Sequence, residues 1–275
     1  MNPIQIRFGY EISYEFQSPT AVVLLLHLRP ELSSDVVVRE QLQVSPASVS
    51  TVEFLDSFGN RATRLIAPPG RLDLSCDATI EDDGQPAPVF AGAPEHPVWA
   101  LPDDTLPFLL SSRYCEVDLF GGIAWSLFGG TPPGWNRVQA VCDWVHHHLR
   151  FDYKLARSTR TAFQAYQEGT GVCRDFTHLA IVLCRSLNIP ARYATGYLGD
   201  IGVPVDPNPM DFSAWMEVYL GSAWHIFDVR HNARRIGHLT MARGRDAADV
   251  AFTTTFGPHF LQRFVVKTVE VPRVT

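Results

Sequence analysis

A chain of 275 residues, 46% hydrophobic and 19% charged, is long enough to bury a large core and to form two domains. Its net charge of −6 leaves no electrostatic case for nucleic acid. No apolar run is long enough to span a bilayer, since residues 21–26 are only strand length. The five cysteines, Cys76, Cys115, Cys142, Cys173 and Cys184, are odd in number, widely spaced and without a CxxC, which argues against a disulfide framework. The N-terminus lacks the basic start and apolar core of a secretory signal. Together these features predict a reducing, cytoplasmic setting and no membrane partner.

The chain opens on a strict alternation. Ile4, Ile6, Phe8, Tyr10, Ile12, Tyr14 and Phe16 alternate with Gln5, Arg7, Gly9, Glu11, Ser13 and Glu15, the period of a strand with one buried face. Further strands are predicted at 21–28, 50–55, 61–67 and 71–80, with a turn at Asp56-Ser57-Phe58-Gly59-Asn60. Short strands joined by turns predict an all-β, sandwich-like N-terminal domain over residues 1–80. Residues 81–109 read as a linker, because six prolines from Pro86 to Pro107 follow the acidic Glu81-Asp82-Asp83.

Residues 110–275 read as a second domain. Val138, Val141, Cys142, Val145 and Leu149 mark one helix face, with Asn136 as the N-cap. A shorter helix is predicted over 161–167. Phe176, Leu179, Ala180, Leu183 and Leu187 form the apolar face of an amphipathic helix that Asn188-Ile189-Pro190 ends. Strands follow at 191–198, 213–220 and 223–228. The last two make a hairpin around Gly221-Ser222, with Gly first as a type II′ turn requires. A final strand is predicted at 264–271. Helices followed by antiparallel strands describe an α+β domain.

The chemistry concentrates in Gly171-Val172-Cys173-Arg174-Asp175-Phe176. Cys173 sits in or just before the first turn of a helix. The free N–H groups and positive dipole end there favour an anion, so the thiol is expected to ionise more easily than a free cysteine. The alternative is a buried structural cysteine. On the hairpin, period two puts Trp224, Ile226 and Asp228 on one face, and Ser213, Trp215, Glu217 and Tyr219 on one face of the partner strand. Ala214, Met216, Val218 and Leu220 then point into the core. His146-His147-His148 do not cluster, because consecutive helical residues point in different directions. Cys142 and His146 share a face but lack a second ligand pair. No metal site and no cofactor is expected.

Three segments resemble the transglutaminase-like superfamily, whose fold is related to papain. Gly171–Phe176 looks like its nucleophile motif, Ala214-Trp215-Met216-Glu217-Val218-Tyr219-Leu220 like its histidine strand, and Trp224-His225-Ile226-Phe227-Asp228 like its aspartate strand. The likeness runs over about residues 110–270 in matching order and spacing, and the first domain resembles the N-terminal region of bacterial members. The resemblance implies an α+β core with helices packed on an antiparallel sheet. It implies cysteine–histidine–aspartate acyl transfer or hydrolysis at an amide or isopeptide bond of a protein or peptide substrate. By position it makes Cys173 the nucleophile and Asp228 the orienting acid. Hydrolysis, as in a bacterial cysteine protease or amidase, is favoured over cross-linking.

The chain departs from the pattern at one position. Ser213 stands where the family histidine should precede Ala214-Trp215, and serine neither acts as a base near neutral pH nor forms an imidazolium. His231, three residues after Asp228, is the candidate substitute base; the alternative is a solvent-facing loop residue. His178 lies about 140° round the helix from Cys173, His225 faces away by the alternation, and no role is implied for His238. Two functions stay open: a thiol enzyme with a varied triad, or a catalytically impaired binding or scaffold protein.

Overall fold

The computed structural model describes residues 3–272. The strands of the first half are β1 (Ile4–Phe16), β2 (Thr20–Leu24), β3 (Val36–Val38), β4 (Gln43–Ser45), β5 (Thr51–Leu55), β6 (Arg61–Ala67) and β7 (Gly70–Asp82). After the proline-rich segment come α1 (Val117–Phe128), α2 (Trp135–His148), β8 (Arg150–Phe151), α3 (Ala162–Glu168), β9 (Thr170–Gly171) and α4 (Cys173–Ser186). The chain ends in β10 (Ala191–Tyr197), β11 (Ser213–Leu220), β12 (Ala223–Phe227), β13 (Leu239–Gly244), β14 (Thr253–Thr255) and β15 (His259–Val271).

The alternation in β1 is realised residue by residue. Ile6, Phe8, Tyr10, Ile12, Tyr14 and Phe16 are all buried. They join Val22, Leu24, Leu65, Leu72 and Leu74 in one core between a sheet ordered β15-β1-β7-β3, with β4 also on β7, and a sheet ordered β14-β2-β6-β5. Residues 110–275 were expected to lie in the second domain, but their last strands return to these sheets. β15 pairs with β1 from Gln5↔Val271 to Phe16↔His259, and β14 pairs with β2. The long β1 is thereby hydrogen-bonded on both sides and leaves no open edge. The first core also takes in Tyr197, Phe212, Leu239 and Met241, with the Phe8 and Tyr197 rings 5.0 Å apart. The two halves therefore share apolar surface. The 81–109 segment is also packed down. Trp135 N–H donates to the Ala93 carbonyl at 3.1 Å, Arg137 pairs with Glu95 at 2.5 Å, and Phe90 lies against Trp135 and His225.

The second core is built on a sheet ordered β12-β11-β10-β13. Ala214, Met216, Val218 and Leu220 face it, as the alternation predicts. α4 packs on this sheet and is surrounded by α1, α2 and α3. It was expected to be amphipathic, yet every residue from Asp175 to Ser186 is buried. Arg185 and His178 find hydrogen-bond partners inside the protein, although His178 Nδ1 is left without one. Arg185 donates to the carbonyls of Ala191 (2.9 Å) and Leu110 (3.0 Å), and His178 Nε2 accepts the Ala247 N–H at 3.1 Å. α1 and β13 were not anticipated. α1 buries Phe120, Ala124 and Phe128, a sparse i, i+4, i+8 signal interrupted by Gly121-Gly122. The α2 N-cap is Gly134 rather than Asn136. Gly221 and Ser222 both have positive φ, 56° and 69°, so the hairpin turn is type I′ and not type II′.

Candidate active site

Cys173 is the first residue of α4. The short parallel pair β8–β9 leads into it, with Phe151 opposite Gly171. Asp175, one turn in, accepts the Val172 N–H at 3.0 Å and satisfies one of the free donors of the helix start. Its buried carboxylate is held by Arg160 at 3.0 Å and Arg174 at 3.2 Å. A Cβ on Gly171 would meet Asp175 Cβ at 2.6 Å, so this close approach requires glycine.

The expectation of an easily ionised thiol is overturned. Burial pushes the Cys173 thiol up to about 12, and the Asp211 carboxylate pushes the same way. Arg230 and the backbone N–H groups of Ala214 and Arg174 act in the opposite sense without prevailing. Desolvation of the thiolate is the largest of these influences.

Ser213 is the first residue of β11, opposite Gly196 of β10, and its carbonyl accepts the Thr195 hydroxyl at 2.9 Å. It lines a cavity of about 120 Å³ with Tyr153, Asp211, Arg230 and His231. Asp211 and Arg230, the two charged side chains felt by the thiol, thus border the same space as Ser213 and His231.

Asp228 directly follows β12 and is buried. Its Oδ2 lies 2.6 Å from His231 Nδ1, and its Oδ1 accepts the His231 backbone N–H at 3.0 Å. Burial alone would raise this carboxyl, but the bonds from His231, with the charge of His231 and His238, hold it below its ordinary value. Arg230 Nη1 contacts His231 Nε2. A carboxylate only accepts, so Nδ1 carries the proton toward Asp228. The His231 ring is half-buried, with its Nδ1 on Asp228.

Six other histidines make contacts of their own, and one of them, His238, lies beside Asp228. His178 stacks on Tyr114 at 5.2 Å, and its ring is pushed well below its usual range by burial. His225 Nε2 bonds the Leu220 carbonyl at 3.0 Å. His238 packs edge-on to Trp215, with its Nε2 4.0 Å from Asp228 Oδ2. His146, His147 and His148 each bond a different carbonyl, those of Arg230, Asp143 and Tyr166. Glu217 is a buried ion-pair partner of Arg192 and Arg243. Arg230, Asp211 and Tyr153 were not singled out from the sequence. Arg230 adjoins His231 and Asp211 lies two before Ser213, but only the fold brings their charges to Cys173.

The fold is shared with known proteins. A family model described as the transglutaminase-like superfamily matches residues 123–229, a span that includes Cys173, Ser213 and Asp228. A solved structure from Cytophaga hutchinsonii, provisionally described as a cysteine protease, is 31% identical, with a TM-score of 0.85 over 100% of this chain and 93% of that one. The chain belongs to the transglutaminase-like superfamily. The likeness covers the β-rich first half as well as the helical core. An uncharacterized protein of Mycobacterium leprae (strain TN) is 23% identical over 257 residues, 90% of this chain and 91% of its own length. The superfamily is one of thiol-dependent acyl transfer and hydrolysis. Among the described residues no helix is long and apolar enough to cross a membrane.

Proposed function

We propose that this member hydrolyses or transfers acyl groups at amide or isopeptide bonds of proteins or peptides. Cys173 is the nucleophile, His231 supplies the base, and Asp228 orients it. The observation that carries this reading is the 2.6 Å bond between His231 Nδ1 and Asp228 Oδ2, the same relation that an orienting acid has to its histidine in a strand-borne triad. Ser213 fits the reading because a small side chain at the family position leaves the cavity to an imidazole arriving from the loop. A histidine at both positions would compete for one carboxylate.

The steps follow from these atoms. Arg230 leaves His231 Nε2 as substrate enters, and Nε2 takes the proton from Cys173 Sγ. Sulfur attacks the amide carbonyl, and the charge on oxygen is met by free N–H groups at the start of α4. The imidazolium gives its proton to the departing amine, leaving a thioester. Water or a second amine then attacks, its proton passing to Nε2, and the thiol is regenerated. With the resting thiol raised to about 12, proton transfer accompanies attack rather than preceding it as a stored ion pair. The five thiols are unpaired, consistent with a reducing cytoplasm.

Turnover of fluorogenic peptide amides and an isopeptide panel tests the reading. Cys173→Ala should abolish turnover, His231→Gln should lower it by about 10²–10⁴-fold, and Ser213→Ala should leave it in place. Wild-type turnover in His231→Gln would overturn the assignment of the base. The raised thiol and Ser213 favour a second reading, a binding or scaffold protein that kept the fold. It requires that the well-folded protein turn over no amide and that Ser213→His gain activity.

A further inference from the structure

A base on a strand has its backbone held on both sides by ladder hydrogen bonds. Here β12 stops at Phe227, and His231 lies in the segment beyond, where backbone is ordinarily mobile. A base that must meet a thiol within a few tenths of an ångström needs another support. α2 supplies one.

Gln139, Asp143 and His146 stand at i, i+4 and i+7 of α2 and form one stripe along it. His146 Nδ1 donates to the Arg230 carbonyl at 2.9 Å. Asn232 Nδ2 donates to Asp143 Oδ1 at 2.8 Å, and Gln139 Nε2 donates to Asn232 Oδ1 at 3.1 Å. Gln139 Nε2 also reaches Asp143 Oδ1 at 2.9 Å, which ties the stripe together. The residues immediately before and after His231 are thus both fastened to the same helix face. Asn232 has φ of 47°, a left-handed conformation that asparagine tolerates better than most side chains. Its backbone N–H closes back on the Asp228 carbonyl at 2.8 Å.

We propose that this stripe is a clamp for the base-carrying loop, and that Gln139, Asp143, His146 and Asn232 are positioning residues acting through His231. The proposal rests on the reading of His231 as the base. It also gives His146 a task that its neighbours do not share. His147 turns back to the Asp143 carbonyl and His148 to that of Tyr166. Each bond at the exposed Asp143 contributes little alone. Their effect is to fix a geometry.

Two readouts on the full chain test it: kcat and KM on an amide that the wild type turns over, and the downfield proton resonance of the His231 Nδ1–H···Asp228 bond. Asn232→Ala loses both side-chain bonds to α2. It should lower kcat about ten- to a hundredfold, leave KM within about twofold, and broaden or remove the resonance. Asp143→Ala should act in the same direction. Asp143→Asn, which keeps the accepting oxygen, should restore most of the rate that Asp143→Ala loses. Circular dichroism and thermal midpoints establish that each variant folds, and Asp143→Ala, at an exposed position, serves should Asn232→Ala not fold. A wild-type kcat with an intact resonance in the folded variant overturns the clamp. The two ideas fail separately. A resonance lost in Asn232→Ala beside unchanged turnover in His231→Gln upholds the clamp and removes the base.

Discussion

At Cys173 two opposing influences meet on one sulfur. The helix start, Arg230 and the N–H groups of Ala214 and Arg174 favour the thiolate, while burial and Asp211 favour the thiol and win. Asp211 is the part of that balance a single substitution can remove. Asn at this position keeps an oxygen to accept the Phe212 N–H, now bonded at 2.6 Å, and carries no charge. Asp211→Asn should therefore lower the thiol pKa and speed alkylation of Cys173 a few-fold near pH 8. The rate is read by mass spectrometry, which separates Cys173 from the four other cysteines. An unchanged or slower rate would mean that the Asp211 charge does not reach the sulfur.

The start of α4 is the element on which the proposed chemistry depends. Its entry is set by the Phe151–Gly171 pairing, the Asp175 cap and the two arginines on that carboxylate. Gly171→Ala puts a methyl 2.6 Å from Asp175 Cβ, and a side chain so held has no room to yield. The variant should lose about 1–3 kcal/mol of stability and label more slowly at Cys173, as urea unfolding and alkylation will show. Equal stability would mean that Asp175 is less constrained than its partners imply. Much at this scale was legible in the sequence. The period of β1, the apolar side of β11 and the Cys173 helix start all came from local pattern. The type I′ turn did not, because Gly first satisfies either turn and only the φ of Ser222 decides. α1 escaped because two glycines interrupt its sparse apolar face. The burial of α4 on all sides escaped because Thr177, His178, Arg185 and Ser186 look polar until their partners are known.

For the whole molecule, burial of histidine sets an acid limit. Burial pushes His178 well below its usual range and His238 to about 4. In the unfolded chain both titrate near pH 6.5. Between those values the unfolded state binds protons that the folded state refuses, so stability rises with pH across the window. It is fully present above about pH 6.5 and is lost as pH falls toward about 4. The thermal midpoint should therefore drop steadily from pH 7 to pH 4.5, and a flat profile would contradict the neutral buried rings. The same scale explains the failure of the domain boundary at the C-terminus. β15 pairs with β1 across more than two hundred residues of chain, and Tyr197, Phe212 and Met241 enter the first core. Composition marks Pro86–Pro107 as a break, but it carries no information about which sheet a later strand will join.

The sequence by itself determined the strand and helix periods, a cysteine at a helix start, an aspartate at a strand end and the absence of histidine at position 213. These are local facts, written in spacings of two to four residues or in a single residue type. Tertiary structure alone decided that His231 turns its Nδ1 onto Asp228, that Arg230 covers its other nitrogen, and that α2 holds the loop between them. It also decided the sign of the shift at Cys173. The physical reason is the same throughout. Desolvation and charge act through space, and the groups that act on Cys173 and His231 come from α2, from residues 211–214 and from the turn after β12, which are adjacent only once the chain has folded.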